Sequence, residues 1–369
     1  MKKKILIISI EFPPDLGGAG SVAHDTAIIL ANLNYNVTII TRKNKNRKLN
    51  NEKFKMITVS PTPKFFIITL MIRILILNAN KYDKIILNDI GAALLATFSF
   101  SKKLQKKCLV YLHGSEAKHI FCQPKKLYQI INFKKKYKNL LFNCDKIIAV
   151  SNYMKNMFIN ETNLTEIAKK INIIRNGVNT TIFYYDPIDL HKKYNIPHNR
   201  KIILTVGRII KEKGFDELII LFNKILTKNS NFHWIIVGDG LFLKKLKREI
   251  TNYNIENYVT FTGFKPKSEL RKIYSSSDVF VLLSRRKEES FGLVYLEANA
   301  CGCPVIGKNY AGVPEVIVNY KNGFLINNNN EVYDIIINNK YDIFSRESLI
   351  NFAHENSVEN TMKKIEVFL

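Results

Sequence analysis

Apolar residues in the first half of this chain gather into short unbroken runs: Ile5 to Ile10, Val37 to Thr41, Lys84 to Leu87, Leu109 to Leu112 and Lys146 to Val150. Runs of that length without alternation predict strands buried on both faces, the habit of a parallel sheet covered by helices. Near Tyr185 to Arg200 the pattern breaks at Asp186-Pro187 and Ile196-Pro197, which suggests a linker. Beyond it the same rhythm restarts in Lys201 to Gly207, His233 to Gly238, Val259 to Phe261, Asp278 to Ser284 and Pro304 to Gly307. A chain of 369 residues is too long for one comfortable core and suits two α/β domains, here 1–185 and 186–355, with a closing helix over about 356–369.

Two apolar stretches invite a membrane reading. Three lysines before the run that follows Met1 imitate a signal peptide, but Glu11 and Pro13-Pro14 cut the run short, so a first strand is expected. Lys64 to Asn78 is the most apolar stretch, yet with Arg73 inside it falls short of the roughly 20 residues a spanning helix needs. A buried helix is expected there, with a membrane-facing one as the alternative.

Charge changes this picture more than composition does. The net charge is +25, and Met1 to Tyr185 holds 30 Lys and Arg against 10 Asp and Glu, so most of the excess sits in the first half. Between Lys102 and Lys138 there are eleven lysines and one acid, Glu116. Such a field favours a phosphate-rich partner, such as an anionic membrane surface or a lipid-linked phosphate. A Lys- and Asn-rich compositional bias accounts for the total but less well for the asymmetry. Five cysteines, Cys108, Cys122, Cys144, Cys301 and Cys303, have no metal-ligand spacing and read as reduced, mostly buried thiols of a cytoplasmic protein.

The chemistry concentrates between Glu288 and Val316. Glu289 and Glu297 bracket a Ser-Phe-Gly turn that follows a predicted strand, and a helix is expected to open near Gly292. The amides of Phe291, Gly292 and Leu293 would then point outward, where the helix dipole favours an anion, which makes a phosphate seat. Glu297, one turn on, is placed to accept hydrogen bonds from a ribose, and Glu289 to face the sugar beyond the phosphates. A hydrolase pair is disfavoured: eight helical positions would separate the backbones by roughly 12 Å, beyond the span such carboxylates use, and an extended turn would not shorten that reliably. A solvated helix face is the ordinary reading of two glutamates, but Ala-Cys-Gly-Cys-Pro is not a solvated composition. Arg208 and Lys213 follow the first strand of the second half and suit a leaving diphosphate.

Glu289-SFGLVYL-Glu297, followed by ANACGCPVI and AGVPEVI, resembles the Glu, seven residues, Glu signature of the retaining glycosyltransferases of family 4, also called group 1, which have the GT-B fold. The resemblance implies an α/β fold of two Rossmann-like, doubly wound parallel-sheet domains facing a central cleft. The first domain would take the acceptor, the second the nucleotide sugar, and the closing helix would pack back on the first. Further stretches match in the family's order. Gly17-Gly18-Ala19-Gly20 resembles its N-terminal loop beside the donor phosphate, and His113 matches a histidine that contacts the donor sugar. Glu116 fits the family's habit, and Val206-Gly207-Arg208 with Lys213-Gly214 matches its cationic loop. Thr262-Gly263-Phe264 resembles its nucleotide-base wall.

On that resemblance the catalytic residues are His113, Glu289, Arg208 and Lys213, with Gly18, Gly263, Phe264, Phe291, Gly292, Leu293 and Glu297 completing the donor site. It implies front-side attack, with the leaving phosphate drawing the acceptor proton. Cofactor and metal are expected to be absent, since cations and a helix end replace the metal. The expected partners are a nucleotide sugar, UDP-linked by preference, and a glycan or lipid-linked acceptor for cell-surface polysaccharide or lipopolysaccharide. No nucleic acid is expected, and the location is cytoplasmic or peripheral on the inner face of the membrane. Ala311-Gly312 departs from the family's two glycines, and Ser284-Arg285-Arg286-Lys287 carries more cations than the pattern asks for, the mark of an anionic sugar or of a basic loop. The competing class, a non-enzymatic binder of nucleic acid or membrane, would need aromatics interleaved with the lysines, and only scattered Tyr and Phe are present.

Overall fold

The computed structural model describes residues 2–13, 18–44, 53–59 and 78–369. Two compact units divide the chain: Met1–Asn176 with Thr361–Leu369, and Gly177–Asn360. The change falls at Asn176–Gly177, ahead of the Pro-broken stretch. Lys64 to Leu77 and Pro14 to Gly17 lie outside the described residues. No helix among the described residues is long and apolar enough to cross a membrane.

The first unit is built on β1 (Lys4–Ile8), β2 (Asn36–Arg42), β3 (Lys55–Val59), β4 (Lys84–Leu87), β5 (Cys108–Leu112), β6 (Lys146–Ala149) and β7 (Ile171–Ile173). They form a parallel sheet in the order β3-β2-β1-β4-β5-β6-β7. The unbroken apolar runs are the cause: Ile5 to Ile8 and Cys108 to Leu112 are fully buried and must be covered on both faces. Helix Gly18–Asn32 buries Val22, Ala23, Ala27 and Leu30. Asp89 caps helix Ile90–Ser99 by accepting from the amide of Ala92, and Ser151 caps Asn152–Thr162 in the same way through Met154. The last residues return to this unit. Lys3 Nζ donates to Leu369 O at 3.1 Å, and the segment is a short helix, Val358–Met362, tightening into the 3₁₀ turn Lys363–Phe368 rather than one continuous helix.

The second unit contains β8 (Lys201–Val206), β9 (Phe232–Val237), β10 (Val259–Gly263), β11 (Val279–Leu282), β12 (Val305–Lys308) and β13 (Gly323–Ile326). The order β10-β9-β8-β11-β12-β13 is again parallel throughout. Alternate side chains of β8 and β11 enter opposite cores. Leu204, Val206, Phe280 and Leu282 pack with Tyr274 and Tyr295, while Ile203 and Val281 pack with Phe222 and Trp234.

Three strands escape the apolar-run reading: β3, β7 and β13. Each lies at the edge of its sheet. An edge strand is short or half-exposed, as the pattern of β3 shows, so it lacks the continuous apolarity that marks a central one.

Candidate active site

In both sheets the strand order reverses beside the first strand, and ligands of open parallel sheets collect at the carboxyl ends of the strands flanking that point. In the second unit those strands are β8 and β11. The loop after β8 carries Arg208 and Lys213, and the loop after β11 carries Ser284 to Gly292.

The two loops lock together. Arg285 N donates to Glu212 O at 2.7 Å, and Gly214 sits at φ 80° with its α-carbon so close to Leu283 that a Cβ would come within 2.1 Å of the Leu283 carbonyl. Only glycine fits there. This approach brings Lys213 Nζ to 2.6 Å from Glu289 Oε2, between side chains that are 11% and 13% exposed. Ser284 Oγ donates to the same oxygen at 2.8 Å. Burial by itself pushes the Glu289 carboxyl up, but the Lys213 charge, with help from Ser284 and Arg286, overcomes it and holds the group below the usual carboxylate range. Lys213 and Ser284 thus both bond Oε2.

Helix Leu293–Ala300 then opens with Gly292 at φ 87° and no side-chain cap. Phe291 points into the core, so at this position the backbone rather than the ring is offered to a ligand. Tyr295 anchors the helix by donating to Leu282 O at 2.8 Å. Glu297 is partly buried and lies beside Tyr274, whose phenol is raised first by burial and then by the Glu297 charge. Behind the pair, Gly312 N donates to Glu289 O at 3.0 Å, and Ala311 takes φ 54° in place of a glycine with the turn intact. Arg208 is exposed and, among the described residues, paired with no carboxylate, while Gly263 and Phe264 stand exposed at the end of β10.

The surplus cations resolve differently. Arg285 bonds Asp216 at 2.7 Å and Glu217 at 2.9 Å, and Glu217 also holds Lys308 at 2.7 Å. Arg285 therefore braces helix Phe215–Lys228 against the loop.

In the first unit the reversal lies between β1 and β4, and the residues there are ones that motif reading passed over. Asp89 accepts from Ile10 N at 2.6 Å, Glu11 N at 3.1 Å, Ser9 Oγ at 3.2 Å and Ala92 N at 2.8 Å, binding the turn after β1 to the helix after β4. Burial raises its carboxyl despite those donors. The available signal was an Asp one residue past an apolar run and directly before another, an N-cap pattern. His113, at the end of β5, stacks on Tyr111 with centroids 5.6 Å apart, and its backbone N donates to Glu116 Oε1 at 3.0 Å. Glu116 also accepts from Gly114 N at 2.7 Å and is buried, which raises its carboxyl, so its task is to shape this loop. Gly18 opens its helix with open space around the α-carbon. Among the described residues no three His, Cys, Asp or Glu side chains gather as a metal site would require.

Two parallel-sheet α/β units, each with its loops at the reversal point, define the class as GT-B. HepE of Anabaena, solved in complex with UDP and glucose, is similar in fold with a TM-score of 0.79, covering 99% of this chain and 98% of that one at 21% identity. The family models for Glycosyltransferase Family 4, over residues 16–182, and Glycosyl transferases group 1, over residues 187–336, match in succession, and the chain belongs to this family, the group 1 or family 4 glycosyltransferases. N-acetyl-alpha-D-glucosaminyl L-malate synthase of Bacillus anthracis is 32% identical over 221 residues, 59% of this chain and 54% of that protein. A GDP-mannose-dependent alpha-(1-6)-phosphatidylinositol monomannoside mannosyltransferase of Mycobacterium tuberculosis is 30% identical over 190 residues, 49% of this chain and 48% of that protein. The matched segments span about half the length of these relatives.

Proposed function

We propose that this protein is a retaining, metal-independent glycosyltransferase. It moves a sugar from a nucleoside-diphosphate sugar, by preference a UDP-sugar, to a glycan or lipid-linked acceptor in the making of cell-surface polysaccharide or lipopolysaccharide. The observation that carries the reading is the Lys213–Glu289 pair at the reversal point of the second sheet, next to an uncapped helix end. UDP and glucose in HepE support the choice of donor, although the mycobacterial relative's name specifies GDP-mannose.

Negative charge grows on the leaving diphosphate as the glycosidic bond breaks. Arg208, Lys213 and the amides opening helix Leu293–Ala300 stabilise it there more than in the intact donor, which is what accelerates the step. Glu289 has two duties on this reading: Oε2 holds the Lys213 ammonium in place, and Oε1 accepts from a donor-sugar hydroxyl. Glu297 takes the ribose, and the leaving phosphate takes the acceptor proton. Thermal stabilisation by UDP, GDP and their sugars, with a chelator present and beside Glu297→Ala, tests the donor site. A shift with one nucleotide that shrinks in the variant supports it, and no shift with any nucleotide overturns it. The anomeric configuration of the product, read by NMR, tests retention.

We place the enzyme in the cytoplasm, against the inner face of the membrane. Leu127 and Ile130, 54% and 81% exposed, stand among the exposed Lys125, Lys126, Lys134 and Lys135 of the basic first unit, a composition suited to an anionic bilayer. Flotation with phosphatidylglycerol vesicles, weakened by salt and by Ile130→Asp, is the expected result. Indifference to both would remove the membrane from the proposal.

A further inference from the structure

Asn88, the residue after β4, is almost fully buried, and its amide can be oriented without ambiguity. Its Nδ2 lies 2.9 Å from the carbonyl of Ala19, which can only accept, and 2.9 Å from Ser9 Oγ. The single Ser9 hydroxyl proton is directed at Glu11 O, 2.5 Å away, and shared with Asp89 Oδ2, 3.2 Å away, so that hydroxyl meets Asn88 as an acceptor. The reverse orientation of the amide would set oxygen against oxygen at Ala19. Asn88 Oδ1 therefore faces His113 Nε2, at 3.3 Å, and an amide oxygen has no proton to give. The proton of that contact must come from the imidazole.

We infer that Asn88 holds His113 in one neutral tautomer, with the proton on Nε2 and the lone pair on Nδ1, so that the ring meets its ligand as a hydrogen-bond acceptor for a hydroxyl. Burial also keeps the ring neutral: it pulls the imidazole down to about 4, only partly opposed by a hydrogen bond to the Asn88 backbone. The ring has little freedom to turn, because it stacks on Tyr111 and its backbone is tied to Glu116. A lone pair on Nδ1 suits a sugar alcohol and repels a phosphate, carboxylate or carbonyl oxygen. Asn88 is thus a positioning residue. The ligand half of this inference rests on the glycosyltransferase reading, whereas the tautomer does not.

The test is ¹⁵N imidazole NMR of the ligand-free protein, with His113→Gln used to assign the resonance. The wild type is expected to show a one-bond coupling at Nε2 and none at Nδ1, and Asn88→Leu to lose that selection and show both tautomers. Nδ1–H in the wild type, or an unchanged spectrum in Asn88→Leu, overturns the inference irrespective of any transferase activity. Should the variant fail to fold, Nδ1–H in the wild type still overturns the inference. For the ligand half, His113→Phe is expected to lose about tenfold in affinity for the sugar nucleotide, one hydrogen bond's worth, and none for the nucleoside diphosphate. Equal losses for the two would overturn the hydroxyl assignment.

Discussion

Replacing Lys213 by Met removes the ammonium from a buried pair while keeping most of the volume of the side chain. Glu289 Oε2 then retains only the Ser284 hydroxyl at 2.8 Å in place of two donors. Breaking a buried pair from one side costs about 3–5 kcal/mol, because the surviving charge stays desolvated. With Ser284 and the field of Arg286 still in place, the lower end, about 3 kcal/mol, is the expectation at pH 7. The sign with pH follows from the Glu289 carboxyl. In the intact protein it is held below its ordinary value, so the stabilisation from the pair is present above the unfolded pKa of about 4.3 and is lost as pH falls through the lower folded value. In the variant, burial is no longer opposed by Lys213, the carboxyl titrates higher, and taking up a proton relieves the penalty. The gap between variant and wild type should therefore narrow from pH 7 to pH 5. Urea unfolding followed by fluorescence measures it, because Trp234 is the only tryptophan and lies 1% exposed in the core of the second unit. Lys213→Met with Glu289→Gln should be less destabilised than Lys213→Met alone. An equal loss at both pH values together with additive single effects would refute the reasoning.

Three further outcomes follow from the same geometry. Tyr295→Phe strips a buried donor from Leu282 O and should cost about 1–2 kcal/mol in the same unfolding assay. Gly312→Val would place a Cβ 2.3 Å from Ser290 O, displacing the Glu289–Ser290 turn, so thermal stabilisation by nucleotide should vanish while the circular dichroism of the free protein is largely kept. Arg285→Met dissolves a partly exposed bridge to Asp216 and Glu217 and should cost about 1 kcal/mol, with titration calorimetry showing unchanged affinity for the sugar nucleotide.

Much of the fold was legible in advance because its signals are local. Central parallel strands must be apolar on both faces, and ten such runs marked ten of the thirteen strands among the described residues to within a residue or two. The edge strands β3, β7 and β13 carry weaker runs because, among the described residues, one side of each has no neighbouring strand. The helix after Gly292 was likewise legible from a glycine at a strand-to-helix turn. Arg285 was not: a cation in a loop has no local signal that tells a ligand contact from an internal bridge, and its partner Asp216 lies 69 residues away.

The residues by themselves determined the two wound sheets, the placing of Glu289 before and Glu297 within one short helix, and the resemblance to family 4. Tertiary structure decided what those residues do to one another. Lys213 and Glu289 are 76 positions apart, and they meet because β8 and β11 are neighbours in the sheet, so that their loops leave the same edge. Asn88 reaches His113 for the same reason, through β4 beside β5. Periodicity records only whether a strand is buried, not which strand lies beside it. Strand order settles which charges share a site, and burial there decides which of them stay charged.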